Sequence, residues 1–173
     1  MRKGGGKSKG AQFERDACVM LSKWVTNDTQ HDIFWRSAMS GGRATVAHKR
    51  KGQKLSSQAG DVSCVHPAGA AFISSFVVEC KFYADLNFDG LLTGKGKLVE
   101  FWNKLKAEAR AHDKSPFLVC KQNRLPAFIG LSLIGAESLG LSSSFFQMAS
   151  PTRDLWLIAA TSFVTVCKPC SSL

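Results

Sequence analysis

The chain has 173 residues, 45% of them hydrophobic, and its 23 Lys and Arg outnumber 13 Asp and Glu for a formal charge of +10. That length fits a single domain with a sizeable core, the apolar content excludes a disordered chain, and the positive excess favours a polyanionic partner such as nucleic acid. No apolar run reaches membrane-spanning length, and Met1-Arg2-Lys3-Gly4-Gly5-Gly6 lacks the apolar stretch of a secretory leader, so neither insertion nor export is expected.

Residues 1–10, rich in Gly and Lys (Arg2, Lys3, Lys7, Lys9), are expected to form a basic flexible tail, leaving 11–173 as one domain. A helix is predicted from about Ala11 to Val25, with Phe13, Ala17, Leu21 and Trp24 at helical spacing. Glu14 heads a neighbouring stripe with Cys18, Leu21 and Val25. It reads either as a first-turn acid complementing the helix dipole or as an acid at the edge of a buried face, aimed at a site. Asp32–Arg36 reads as a first strand. A loop insertion at about 37–59 follows, poor in apolar residues and carrying Arg43, Lys49, Arg50, Lys51 and Lys54. Loops of such length are usually functional or disordered, and cations of one sign in one loop favour an arm that meets DNA phosphates over a merely solvated insertion.

Residues 60–66 and 72–82 are predicted to pair as an antiparallel hairpin across Pro67-Ala68-Gly69. By strand parity Phe76, Val78, Cys80 and Phe82 share one apolar face, while Glu79 and Lys81 point together to the other. A second helix is predicted from about Leu98 to Ala111, with Leu98, Trp102, Leu105 and Ala109 as its core stripe and Glu100, Lys104 and Glu108 as solvated ion pairs. Phe117–Cys120 and Ala127–Leu131 read as further strands of the same sheet. The segment 132–150 reads as a short helix and an apolar loop, and Asp154–Ile158 with Phe163–Val166 as an edge strand or final hairpin. The apolar surplus of 132–150 would be absorbed by a dimer interface.

The six cysteines read as reduced thiols, most of them inside apolar runs where cysteine acts as a small hydrophobe. Cys167-Lys168-Pro169-Cys170 has zinc-ligand spacing but lacks a second pair, so structural zinc is not expected. His31, His48, His66 and His112 have no paired spacing and read as surface residues, while Trp35, Phe82 and Tyr83 read as core aromatics rather than base-stacking platforms.

An acid and a lysine side by side on a strand built for burial are costly unless paired or functional. With Asp61 brought across the hairpin, Glu79 and Lys81 become the parts of a magnesium-dependent phosphodiesterase site. Hard carboxylates suit Mg²⁺, and a lysine on the same face can meet the attacking water or a non-bridging oxygen. An ordinary strand salt bridge among the three is the competing reading. The apolar opposite face, the hairpin and the overall charge favour the functional one.

Asp61 … Glu79-Cys80-Lys81, after a helix bearing Glu14 and the run Arg36-Ser37-Ala38-Met39-Ser40-Gly41-Gly42, resembles the PD-(D/E)XK nuclease superfamily over roughly residues 8–131. The closest likeness is to its Holliday-junction-resolvase-like branch, which includes small phage endonucleases. The resemblance implies a restriction-endonuclease-like α/β fold, a mixed central sheet flanked by helices. It also implies Mg²⁺ dependence with Mn²⁺ as a substitute, a DNA substrate, often a homodimer, no small-molecule cofactor, and the cytoplasm of a bacterial host if the protein is phage-encoded. Carried across, Asp61, Glu79 and the Cys80 carbonyl become metal ligands, Lys81 the catalytic lysine and Glu14 a supporting helix acid. Arg36 and Ser40 join Arg43, Lys49, Arg50, Lys51 and Lys54 as DNA contacts. Gly60 stands where the family name has proline, and the long basic insertion departs from compact resolvases. The expected activity is thus a metal-dependent DNA endonuclease, resolvase-like on branched DNA. The alternatives are a nuclease of the same fold acting on duplex or DNA ends, and a DNA-binding module without catalysis.

Overall fold

In the computed structural model, which describes residues 5–37, 59–64, 66–152 and 154–168, helix α1 spans Gly5–Val25. Phe13, Ala17, Leu21 and Trp24 are all buried along it, as their spacing predicts. The helix starts six residues before the expected Ala11, so the second half of the supposed tail belongs to its first turns.

Strand β1, Phe34–Arg36, pairs antiparallel with β2, Val62–Cys64. The expected hairpin after β2 is replaced by helical turns. Pro67–Gly69 forms a 3-10 turn in which His66 Nδ1 accepts the Ala68 N–H at 3.1 Å, and it runs into α2, Ala70–Ser75. Those turns carry Phe72 into the core, where its ring meets those of Trp24, Phe34, Phe76 and Phe117. An extended chain would alternate Phe72 and Ile73 across two faces. Strand β3 therefore begins only at Phe76 and runs to Tyr83.

Short α3, Gly90–Thr93, precedes α4, Lys97–Ala111, whose Leu98, Trp102, Leu105 and Ala109 are buried as expected. Then follow β4 (Ser115–Gln122), β5 (Ala127–Leu131), α5 (Leu133–Ser138), β6 (Met148–Ala149), β7 (Trp156–Ala159) and α6 (Ala160–Val166). The main sheet has the order β3-β4-β5-β7-β6, with β3 and β4 parallel and the other neighbours antiparallel. This is the expected mixed sheet, and the α4 crossover is what a parallel pair requires. β7 lies inside the sheet rather than at its edge. Phe163–Val166, read as a strand, is helical because α6 turns Phe163 onto Trp24 and Phe117.

Both sheet faces are covered. Phe76, Val78, Cys80, Phe117, Val119 and Ile129 face α1 and α6, whereas Val77, Leu118, Cys120 and Leu157 face α4. Cys18, Cys80, Cys120 and Cys167 are buried free thiols, and burial pushes Cys120 up to about 12. Trp35 corrects its core assignment, being 57% exposed, and Tyr83 is also exposed; Phe82 is half-buried against the core. Among the described residues no helix is long and apolar enough to cross a membrane.

Candidate active site

Strand β3 sets the site because its alternation gives it two kinds of neighbour. Cys80 is locked into the α1-side core, and that orients Glu79 and Lys81 to the α4 side of the sheet. Lys81 is ion-paired with Glu79 and lies 3.7 Å from Asp61 Oδ2. The same Asp61 oxygen accepts the Cys80 N–H at 2.9 Å. The three residues of the motif thus meet at one place although no strand pairing joins β2 to β3 in one sheet.

Gly60 makes the meeting possible. Its φ of +81° lies in the left-handed region, and a Cβ there would stand 2.4 Å from the Val78 carbonyl oxygen. Proline, fixed near −65°, cannot take this conformation. The close approach lets Asp61 N–H donate to Val78 O at 2.8 Å, and Gly60 N–H donates to Glu108 Oε1 at 3.3 Å. Glu108, expected to form a solvated ion pair, is instead an acceptor for the loop that carries Asp61. Ser37 N–H donates to Asp61 O at 2.8 Å, which ties the same loop to the end of β1.

Asp61 is only 7% exposed. Burial, and then the charge of Glu79, push its carboxyl up to about 6 against the opposing pull of Lys81 and the Cys80 N–H. Burial lowers the Lys81 ammonium, but Glu79 and Asp61 outweigh it and leave the pKa raised, so Lys81 stays charged. Two carboxylates facing one lysine leave an excess of buried negative charge made of hard oxygen donors. A divalent cation of the Mg²⁺ type relieves that imbalance, so the donor set fits such an ion.

Glu14 lies within α1 rather than in its first turn, which holds no acid. The dipole reading therefore has no basis. Glu14 is ion-paired with Arg36, and the two acids Glu14 and Asp61 both raise the buried Cys18 thiol, after burial itself, to about 12. Arg36, expected to contact DNA, is the partner of Glu14 beside the site, and its side chain stays 40% exposed. The expected DNA contacts Ser40, Arg43, Lys49, Arg50, Lys51 and Lys54 lie outside the described residues. The Gly60 N–H bond to Glu108 was missed in sequence, where its 48-residue separation leaves no local signal.

No curated protein and no solved structure matches the chain. A family model described as "phage putative PDDEXK endonuclease" matches residues 5–151, which takes in α1, Asp61, Glu79 and Lys81. With that match over most of its length, the chain belongs to this phage PD-(D/E)XK endonuclease family.

Proposed function

We propose that the protein is a Mg²⁺-dependent DNA endonuclease, with Mn²⁺ able to substitute, that acts on branched DNA. The observation that supports it most is the convergence of Asp61 and Glu79 on Lys81, with Asp61 held by the backbone between the other two. Asp61, Glu79 and the Cys80 carbonyl are the residues that would hold the ion. When bound, the ion supplies positive charge against the phosphoryl oxygens and makes water a stronger acid.

The chain's own residues supply the rest. Lys81, kept protonated by its acids, donates to a non-bridging oxygen or orients the attacking water. The Cys80 N–H and Gly60 turn hold Asp61 rigidly, so its orientation is fixed before substrate arrives. Glu14, braced by Arg36, adds negative charge on the α1 side. Arg36, Ser40, Arg43, Lys49, Arg50, Lys51 and Lys54 are read as contacts to the DNA strand. A homodimer is part of the same reading, supported by the exposure of three large apolar residues, Leu133, Ile134 (74%) and Phe145, within the segment 132–150.

The test is incubation of purified protein with labelled duplex, fork, four-way junction and single strand, with Mg²⁺ or with EDTA. Internal nicks in the junction with Mg²⁺ alone are expected. Equal cleavage of plain duplex would remove the branched preference, and cleavage in excess EDTA would refute the metal mechanism.

A further inference from the structure

Beyond Lys81, β3 ends in Phe82 and Tyr83, and lysines from three separate elements converge on these two rings. Lys9 of α1 places its ammonium 4.3 Å from the Phe82 ring centroid, and Lys121 of β4 lies 5.5 Å from the same ring. Lys97, the first residue of α4, lies 5.2 Å from the Tyr83 ring, which itself packs on Phe101 with 5.1 Å between centroids. The parallel register explains the assembly. Phe82 is paired with Lys121 and Tyr83 with Gln122, so the carboxyl ends of β3 and β4 lie together, flanked by α1 on one side and α4 on the other. Ligands of α/β sheets gather at the carboxyl ends of strands.

Two of these lysines bond neutral oxygens. Lys9 donates to Asn123 Oδ1 at 2.6 Å and Lys97 to the Asp85 backbone carbonyl at 3.3 Å. Among the described residues none of Lys9, Lys97 and Lys121 forms an ion pair with a carboxylate, whereas Arg36, Lys81 and Lys106 all do. A single lysine stem over a ring is ordinary cover for apolar surface. Lys9 and Lys121 share the Phe82 ring on the α1 side and Lys97 lies at the Tyr83 ring on the α4 side. Cations without a paired acid thus flank the strand end on both faces, and an anion with several spaced charges suits them.

We propose that Lys9, Lys97 and Lys121, set round Phe82 and Tyr83, form a platform that binds the phosphates of the DNA backbone flanking the bond positioned at Asp61, Glu79 and Lys81. The proposal rests on the endonuclease reading above. The platform holds the strand by charge and reads no bases, and it is built from α1, α4 and β4, outside the basic insertion at 37–59.

The test uses the full chain with Lys9, Lys97 and Lys121 all changed to Gln, and a second triple variant with all three changed to Arg. Each is titrated by fluorescence anisotropy against labelled duplex and four-way junction in Ca²⁺, from about 50 to 200 mM salt. Losing three phosphate contacts makes the log–log salt slope shallower by about 2.7 units, so wild-type affinity falls about 40-fold more over that range than affinity of the Gln variant. The Arg variant should keep the wild-type slope and affinity. A wild-type slope in the Gln variant overturns the platform, and so does an Arg variant as impaired as the Gln one, because the lysines would then only cover the rings. A wild-type protein that cleaves DNA while the Gln variant keeps its slope sinks the platform alone. A wild-type protein that binds no DNA sinks the endonuclease reading with it.

Discussion

The Asp61 carboxylate accepts the backbone N–H of Cys80 at 2.9 Å, so the residue between Glu79 and Lys81 fixes the acid 19 positions upstream. Cys80 is anchored by its side chain in the α1-side core, and its N–H is thereby a stationary donor. The sheet's core packing is in this way coupled directly to the position of a candidate metal ligand.

Gly60 should be intolerant of a side chain. Gly60→Ala places a Cβ 2.4 Å from Val78 O and forces an L-residue to hold a φ of +81°. Strain of that backbone kind costs about 1–3 kcal/mol before the clash is counted. Chemical denaturation should therefore show a loss of at least that size. A Gly60→Ala protein of wild-type stability would mean that Asp61 does not lie against β3 as described.

Glu14 offers a separation of activity from stability. Its place well inside α1 removes the dipole contribution, and its partner Arg36 is substantially exposed, so the ion pair itself contributes little. Glu14→Gln should cut cleavage steeply while the melting temperature moves little. An activity loss that merely follows a falling melting temperature would assign Glu14 to the scaffold.

Lys81→Ala should lower cleavage by about 10²–10³-fold, the usual effect of removing a preorganised donor to developing charge. It also leaves Asp61 and Glu79 facing each other without their shared cation. DNA affinity in Ca²⁺ should fall far less than the rate. Equal losses in affinity and rate would make Lys81 a simple phosphate anchor.

Asp154 carries a pH signature remote from the site. Burial raises its carboxyl, but hydrogen bonds from Lys106, Ser150 and Thr152 outweigh that and hold it at about 2. Ser150 Oγ and Thr152 Oγ1 each donate to Asp154 Oδ1 at 2.8 Å. The folded value lies below the ordinary one of about 3.9. The stabilisation is thus complete above about pH 4 and is lost as pH falls through about 2. A carboxyl NMR titration should give a midpoint for Asp154 well below those of exposed aspartates. A midpoint near the ordinary value would contradict the network.

Much of this arrangement was legible in the residues. The alternation of Phe76, Val78 and Cys80 against Glu79 and Lys81, and the stripe Leu98, Trp102, Leu105, Ala109, each follow from one periodicity and a long enough element. The turns at 67–75 were not legible, because a six-residue helix around Phe72 shows too little period to tell it from a strand. Val164, Thr165 and Val166 favour extended structure locally, yet the burial of Phe163 against Trp24 and Phe117 decides for a helix. The Gly60 contact with Glu108 and the lysines round Phe82 join residues distant in sequence, where no local pattern reaches.

Catalysis at Asp61 and Glu79 is tested by single-turnover cleavage of an end-labelled four-way junction and its matched duplex in Mg²⁺. Wild-type protein is compared with Asp61→Asn and Glu79→Gln, and binding in Ca²⁺ is followed alongside. Both substitutions remove a ligating charge with little change of volume, and the amide oxygen that Asp61→Asn introduces can still accept the Cys80 N–H. Expected are cleavage by wild type that EDTA abolishes, no detectable cleavage by either variant, and DNA binding and melting temperature close to wild type in both. Wild-type cleavage by Asp61→Asn in Mg²⁺ would contradict the site itself.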